Sequence, residues 1–254
     1  MLIERPLTLF VFAHPDDEFF CIPFIRDAVK ELHEVRFVYL TDGAWGGQSA
    51  SRRIQESLRV LSRYGVNASQ VHFLGHEMNI PDGKLHLHLS AAYEAIRSLC
   101  GERLTNVFSP AWEGGHQDHD ATHALALAVA LDCPAAKAYQ FPLYNAAGCI
   151  RPWFRVMAPL PSNGASFGRR VTLGEAVDIA VNAFRYPSQW KTWMALLPFA
   201  AWRLFTLRQV QCQPMSIHRL GQRPHEDSLL YERRGNATFA EVQSRVDALM
   251  EGRY

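Results

Sequence analysis

Leu7-Thr8-Leu9-Phe10-Val11-Phe12-Ala13, followed at once by His14-Pro15-Asp16-Asp17-Glu18, is the stretch that decides the fold. A nearly unbroken apolar run of this length, without polar alternation, reads as a strand buried on both faces, as in a parallel sheet. Outward from it, residues 16–32 have the length of a helix and residues 35–40 (VRFVYL) form a second strand. The alternation continues. A glycine-rich loop occupies residues 41–47, and a helix over 52–64 carries Ile54, Leu58 and Leu61 on one face and stops at Gly65. A strand at 71–74, a helix over 85–99, a strand at 106–109, a helix from Asp118 to before Pro134, and a strand at 137–141 follow. Strands alternating with helices build βαβ units, so the sequence predicts an α/β fold: a Rossmann-like, mostly parallel sheet with helices on both faces over residues 1–145. Beyond Pro142 the periodicity weakens and prolines recur. Residues 146–254 are expected to be an irregular C-terminal addition that shapes the pocket within a single domain spanning 1–254.

Composition narrows the function. The 254 residues carry 26 Lys and Arg against 25 Asp and Glu, a balance that argues against nucleic acid and against strong attraction to an acidic membrane. Apolar residues make up 48% of the chain, enough for a large core, which excludes disorder and collagen-like designs. Cys21, Cys100, Cys133, Cys149 and Cys212 stand singly, so neither a disulfide framework nor a thiolate zinc site is indicated, and a cytoplasmic location is expected. The N-terminus puts an acid before its first base and runs straight into the first strand, unlike a signal peptide. The most apolar stretch, residues 190–207 (WKTWMALLPFAAWRLFTL), is interrupted by Lys191, Pro198 and Arg203 and falls short of the ~20 residues of a membrane span. A buried helix pair or a homo-oligomer contact is its expected role, with peripheral membrane contact through its tryptophans and bases as the alternative.

In an open α/β sheet, ligands bind beyond the carboxyl ends of the strands, and His14 to Glu18 lie there. With Pro15 opening a helical turn, His14 and Asp17, three residues apart, converge on one point, and Asp16 sits beside it. First-turn acids also act as helix caps, but a histidine and three successive acids after a buried strand need a compensating cation. A second segment, Trp112-Glu113-Gly114-Gly115-His116-Gln117-Asp118-His119-Asp120, repeats the arrangement after another strand. His116 and His119 lie one turn apart; His123, one turn further, reads as a partly exposed surface residue. Together the segments offer a His/Asp/His set suited to Zn2+ or a similar divalent ion such as Fe2+.

These two motifs resemble the PIG-L/LmbE-like zinc-dependent de-N-acetylases. Weaker similarities are Arg53-Ile54-Gln55-Glu56, Arg185-Tyr186-Pro187-Ser188-Gln189 and Leu230-Tyr231-Glu232, the last matching a late Tyr-Glu strand. The resemblance implies that His14, Asp17 and His119 bind zinc, that Asp16 is the general base, and that His116, polarised by Asp118 and kept charged, stabilises the oxyanion. It implies removal of acetyl from an N-acetylglucosamine-type sugar or its conjugate, so the partner is a small-molecule or glycoconjugate substrate. Ala13 and Gly114 depart from the family, whose members often carry proline and sometimes a tyrosine there. Arg53 is a candidate for substrate hydroxyl or phosphate contact, Asp42 for a sugar hydroxyl and Trp45 for stacking, against a surface base, a turn residue and a partly buried aromatic. Hydrolysis of another amide, such as a thiol conjugate, and non-catalytic carbohydrate binding remain alternatives. A dinucleotide site would need G-x-G-x-x-G where His14-Pro15-Asp16 stands.

Overall fold

The structure, a computed structural model, describes residues 5–31, 33–251 and 253. Its strands are β1 (Leu7–Phe12), β2 (Glu34–Tyr39), β3 (Val71–His72), β4 (Leu104–Pro110), β5 (Lys137–Phe141), β6 (Tyr144–Asn145), β7 (Arg155–Val156), β8 (Phe167–Arg170) and β9 (Gln209–Pro214). The helices are α1 (Ile22–Lys30), α2 (Ala50–Ser62), α3 (Leu74–Glu77), α4 (Leu89–Cys100), α5 (Gln117–Leu131), α6 (Leu173–Asn182), α7 (Trp190–Thr206), α8 (Ile217–Leu220), α9 (Leu230–Arg233) and α10 (Phe239–Met250). Seven strands make one sheet in the order β3-β2-β1-β4-β5-β9-β8, parallel from β3 to β5 and antiparallel at β9 and β8.

β1 is buried along its whole length because it lies between β2 and β4 with both faces covered. Its side chains alternate between two cores, as the pleat requires. Leu7, Leu9 and Val11 enter one core with Ile96, Leu125 and Val246. Phe10 and Phe12 enter the other with Ile25, Val60 and Leu196, and Phe10 stacks on Phe37 and Phe108 at 5.1 and 5.0 Å. Thr8, the polar interruption in the run, is within 2.9 Å of His33 Nδ1 through its hydroxyl. The alanines of α5 let that helix pass through the protein, buried from Gln117 to Ala130.

Several boundaries differ from expectation for identifiable reasons. The first helix does not start at Asp16: that residue has φ 125°, so a short 3-10 turn over Asp17–Cys21 precedes α1. Its expected end at Leu32, like the reading of residues 1–4, lies outside the described residues. Residues 85–88 are turn-like and the helix begins at Leu89. Leu230-Tyr231-Glu232 belongs to α9 and is not a strand. The C-terminal addition is not merely irregular, since β8 and β9 extend the main sheet.

Two buried features tie the carboxyl ends of the strands together. Gly75 in α3 lies against the turn after β2: a Cβ there would come within 2.2 Å of Thr41 N and 2.4 Å of Leu40 C. Gly75→Ala is therefore expected to lose about 3 kcal/mol in urea unfolding, because both neighbours are backbone and cannot rotate away; wild-type stability would show that this approach is not tight. Glu113, after β4, accepts the N–H groups of Leu143 and Tyr144 at 2.7 and 2.8 Å and the Asn145 amide at 3.0 Å. Burial pushes its carboxyl up to about 7 although these hydrogen bonds favour the charged form. A raised acid favours the folded state below its unfolded pKa, and the advantage disappears as pH rises through about 7. Glu113→Gln should consequently flatten the fall in unfolding stability between the unfolded carboxylate range and neutrality. An unchanged slope would place that pH dependence elsewhere.

Candidate active site

The candidate residues meet beyond the carboxyl ends of β1 and β4, where the sheet order reverses: β2 and β3 lie on one side of β1, β4 and β5 on the other. Asp16 is the strained element. Its φ of 125° with ψ of −14° costs about 1–3 kcal/mol for a non-glycine residue and persists only where neighbours enforce it. The enforcing contacts are present. The Asp16 N–H donates to Glu18 Oε2 at 2.9 Å, and Arg53 Nη2 donates to Asp16 Oδ1 at 2.9 Å and to the Pro15 carbonyl at 2.6 Å. The second guanidinium nitrogen donates to the Gly43 carbonyl at 2.6 Å, so the loops after β1 and β2 share one buried cation.

The turn made this way presents Asp17 inward. Its Oδ2 accepts the N–H groups of Ala13 and His14 at 3.0 and 2.9 Å, and its Oδ1 lies 3.1 Å from His119 Nε2. His14 Nδ1 is 3.2 Å from the same His119 nitrogen. One ligand atom from each of His14, Asp17 and His119 thus falls within 4.8 Å of the others. The spacing between the contacting atoms is close to the roughly 3.3 Å that separates donors on a tetrahedral divalent ion with bonds near 2.0–2.1 Å. Facing lone pairs on two imidazoles and a carboxylate are not all satisfied by a single proton, whereas a cation satisfies all three. The other side of His14 supports this use: its Nε2 is 3.2 Å from Asp118 Oδ2 and 3.3 Å from Asp82 Oδ1, which places the ring proton there and turns the Nδ1 lone pair inward. Asp118 is itself held by the N–H groups of Gly83 and Leu85 at 2.5 and 3.0 Å.

Burial and charge set the protonation states. Burial, reinforced by Asp17 and Glu18 and opposed by Arg53 and His14, pushes Asp16 up to about 7. Burial acts on Asp17 in the same sense, but His119 and His14 outweigh it and hold that carboxyl well below the usual range. Burial lowers the His14 pKa, but Asp82, Asp118 and Asp17 outweigh it and raise it well above the usual imidazole value, so a cation at Nδ1 would take the place of a second ring proton. The charged form of His116 expected from the sequence is disfavoured here. Burial and the neighbouring His14 lower its pKa to about 3. The geometry agrees: His116 Nδ1 caps α5 by accepting the Asp118 N–H at 3.2 Å, and the Asp118 carboxylate that was to polarise it turns towards His14 and stays 3.9 Å away. His123, expected near the surface, is buried beside Trp112 with Nδ1 3.2 Å from the Pro110 carbonyl.

These groups line an open cleft of about 420 Å³, a size that suits a small ligand. Arg53 and Trp45 border it, although the Arg53 guanidinium is already engaged by protein groups. Asp42 does not border it; its carboxylate accepts the N–H groups of Ala44 and Asp82 and so fixes Asp82, which does. Gly114, with φ 68°, has no room for a side chain, since a Cβ would meet Leu229 at 2.5 Å. An aromatic ring comes instead from Tyr144, 5.5 Å from the His119 ring between centroids. Sequence reasoning missed Asp82, Tyr144, Gln189, Arg234 and Asn236, all of which border the cleft. Of these, Gln189 alone falls in a stretch the sequence singled out, the Tyr-Pro-Ser-Gln similarity, whose side chains brace the site: Tyr186 donates to Glu18 at 2.9 Å, Ser188 N–H to Glu56 at 3.1 Å, and Gln189 to Gln48.

Known proteins share this fold. The chain resembles a deacetylase of the teicoplanin biosynthesis pathway (17% identity, TM-score 0.62, covering 83% of this chain and 98% of that one). It also resembles teicoplanin deacetylase in a zinc-inhibited form (16%, 0.62, 83% and 98%). A third is N,N'-diacetylchitobiose deacetylase from Pyrococcus horikoshii (19%, 0.53, 84% and 84%). At such identities the likeness is one of fold. No curated protein matches the chain in sequence. The family model for PIG-L, GlcNAc-PI de-N-acetylase, matches residues 9–130. Residues 9–130, which carry both His/Asp motifs, are accordingly a PIG-L family domain.

Proposed function

We propose that this chain is a metal-dependent hydrolase that removes acetyl from an N-acetylated amino sugar of the N-acetylglucosamine type, or from its conjugate. The observation that carries the reading is the convergence of His14 Nδ1, Asp17 Oδ1 and His119 Nε2 beside the strained Asp16. The family match and the deacetylase activities of the structural neighbours support it. Two nitrogens and one oxygen suit zinc first and Fe2+ second. A divalent ion bound there supplies Lewis-acid polarisation of the amide carbonyl and acidifies water.

The protein's own groups do the rest. Asp16 Oδ1 is fixed by Arg53, while Oδ2 accepts no hydrogen bond from the described residues and can take the proton of an attacking water. A carboxyl near 7 both accepts that proton and returns it to the departing amine nitrogen, so acetate and the free amino sugar leave. His116 acts as a neutral donor: with Nδ1 engaged by the Asp118 N–H, its proton sits on Nε2, available to the carbonyl oxygen as negative charge develops. Trp45 offers a ring face for the sugar at the rim. Arg53 is a positioning residue that aims Asp16.

Acetate release from free N-acetylglucosamine, chitobiose and nucleotide-linked and lipid-linked N-acetylamino sugars tests the proposal. At least one of these should be turned over, and Asp16→Asn should lose about a hundredfold or more in rate with the fold intact. No acetate from any of them would reject the substrate class, and near wild-type turnover by Asp16→Asn would reject the assigned base.

A further inference from the structure

α7 shows apolar side chains on its outward side as well as on its buried one. Trp193, Leu196, Ala200 and Leu204 bury one side against the core, but the outward side carries Trp190, Met194, Trp202 and Phe205 at 55%, 68%, 60% and 39% exposure. A surface helix of a globular protein ordinarily sets polar residues there. α6, packed beside α7, repeats the anomaly: Leu173, Val177 and Val181 form an exposed stripe at four-residue spacing, and Phe184, just past the helix, is 75% exposed. Exposed apolar side chains gathered on two helices packed together are the kind of surface that marks an interaction site.

The charge around it selects the occupant. Although the whole chain is nearly neutral, residues 173–208, which carry α6 and α7, hold Arg185, Lys191, Arg203 and Arg208 against only Glu175 and Asp178. Both acids are already paired, Glu175 with Arg169 at 2.8 Å and Asp178 with Arg63 at 2.7 Å. Arg151, Arg155, Arg185, Lys191, Arg203 and Arg208 make no ion pair among the described residues. A second copy meeting this face across a two-fold axis would set the same patch against itself, cation against cation with no free acid to pair them. An anionic lipid surface supplies both the missing charge and an apolar phase. No helix among the described residues is long and apolar enough to cross a membrane, so α7 would lie on such a surface and not span it.

We propose that the outward face of α6 and α7 docks onto a bilayer carrying anionic lipids, its aromatic and aliphatic side chains entering the interface and its arginines and lysine meeting the headgroups. The inner edge of α7, through Thr192, Ala195 and Leu196, borders the cleft, so docking would hold the cleft beside the membrane. The inference does not depend on the hydrolytic reading.

Flotation of the full chain with phosphatidylcholine vesicles, with and without phosphatidylserine, tests it. Binding to the anionic vesicles should exceed binding to the neutral ones by about tenfold or more and weaken with added salt. Met194→Ser with Trp202→Ser, and separately Arg185→Glu with Lys191→Glu, should each reduce it at least about tenfold while urea unfolding stays as in wild type, since all four side chains are exposed. Failure to float with either vesicle would overturn the proposal. A dimer in sedimentation that the Met194→Ser/Trp202→Ser pair dissociates would assign the face to a second copy instead. Equal flotation with neutral vesicles would overturn the anionic assignment.

Discussion

Negative charge taken out of water is the constraint that organises this protein. Asp16, Asp17, Glu18, Asp82 and Asp118 converge at one end of the sheet, where an unpaired carboxylate is costly. The structure answers in two ways. Asp17, Asp82 and Asp118 are held ionised by the imidazoles of His14 and His119 and by backbone N–H groups. Asp16 and Glu18, facing burial with less compensation, are pushed the other way, towards holding a proton. Arg53 is the permanent buried cation among them, and its fork fixes the two loops and the strained Asp16 together. A divalent ion among His14, Asp17 and His119 would complete the compensation.

The parts of this site that could be read from the sequence were those written locally. The apolar run of β1 announces a central strand, and the acids directly after it announce a binding end. His116, Asp118 and His119 fall within one turn of a single helix start, so their convergence follows from helix geometry. Asp82 was hidden because Pro81-Asp82-Gly83 has the composition of an ordinary surface turn, and only the tertiary fold brings it 3.3 Å from His14. The charge on His116 was misjudged for a related reason: adjacency in sequence suggested that Asp118 serves it, whereas the carboxylate reaches across to His14. β8 and β9 went unseen because their sequences, FGRR and QVQCQP, are short and polar, as suits strands at and next to a sheet edge.

The C-terminal half is part of the site and not an appendage. Tyr186 holds Glu18, which holds the Asp16 backbone; Ser188 and Gln189 grip Glu56 and Gln48, which flank Arg53 and the glycine-rich loop. Leu229 fills the space beside Gly114, and the turn after α9 brings Arg234 and Asn236 to the cleft. Residues far apart in sequence thus form the wall of the cleft, while the His14, Asp17 and His119 cluster is built within the first 120 residues.

Metal content tests the central claim most directly. Elemental analysis of protein purified without chelator should find about one divalent ion per chain, with His119→Ala losing most of it and Asp16→Asn keeping it, because Asp16 stands beside the ligand set and not in it. A wild-type protein without a divalent ion, or His119→Ala with full occupancy, would contradict the account.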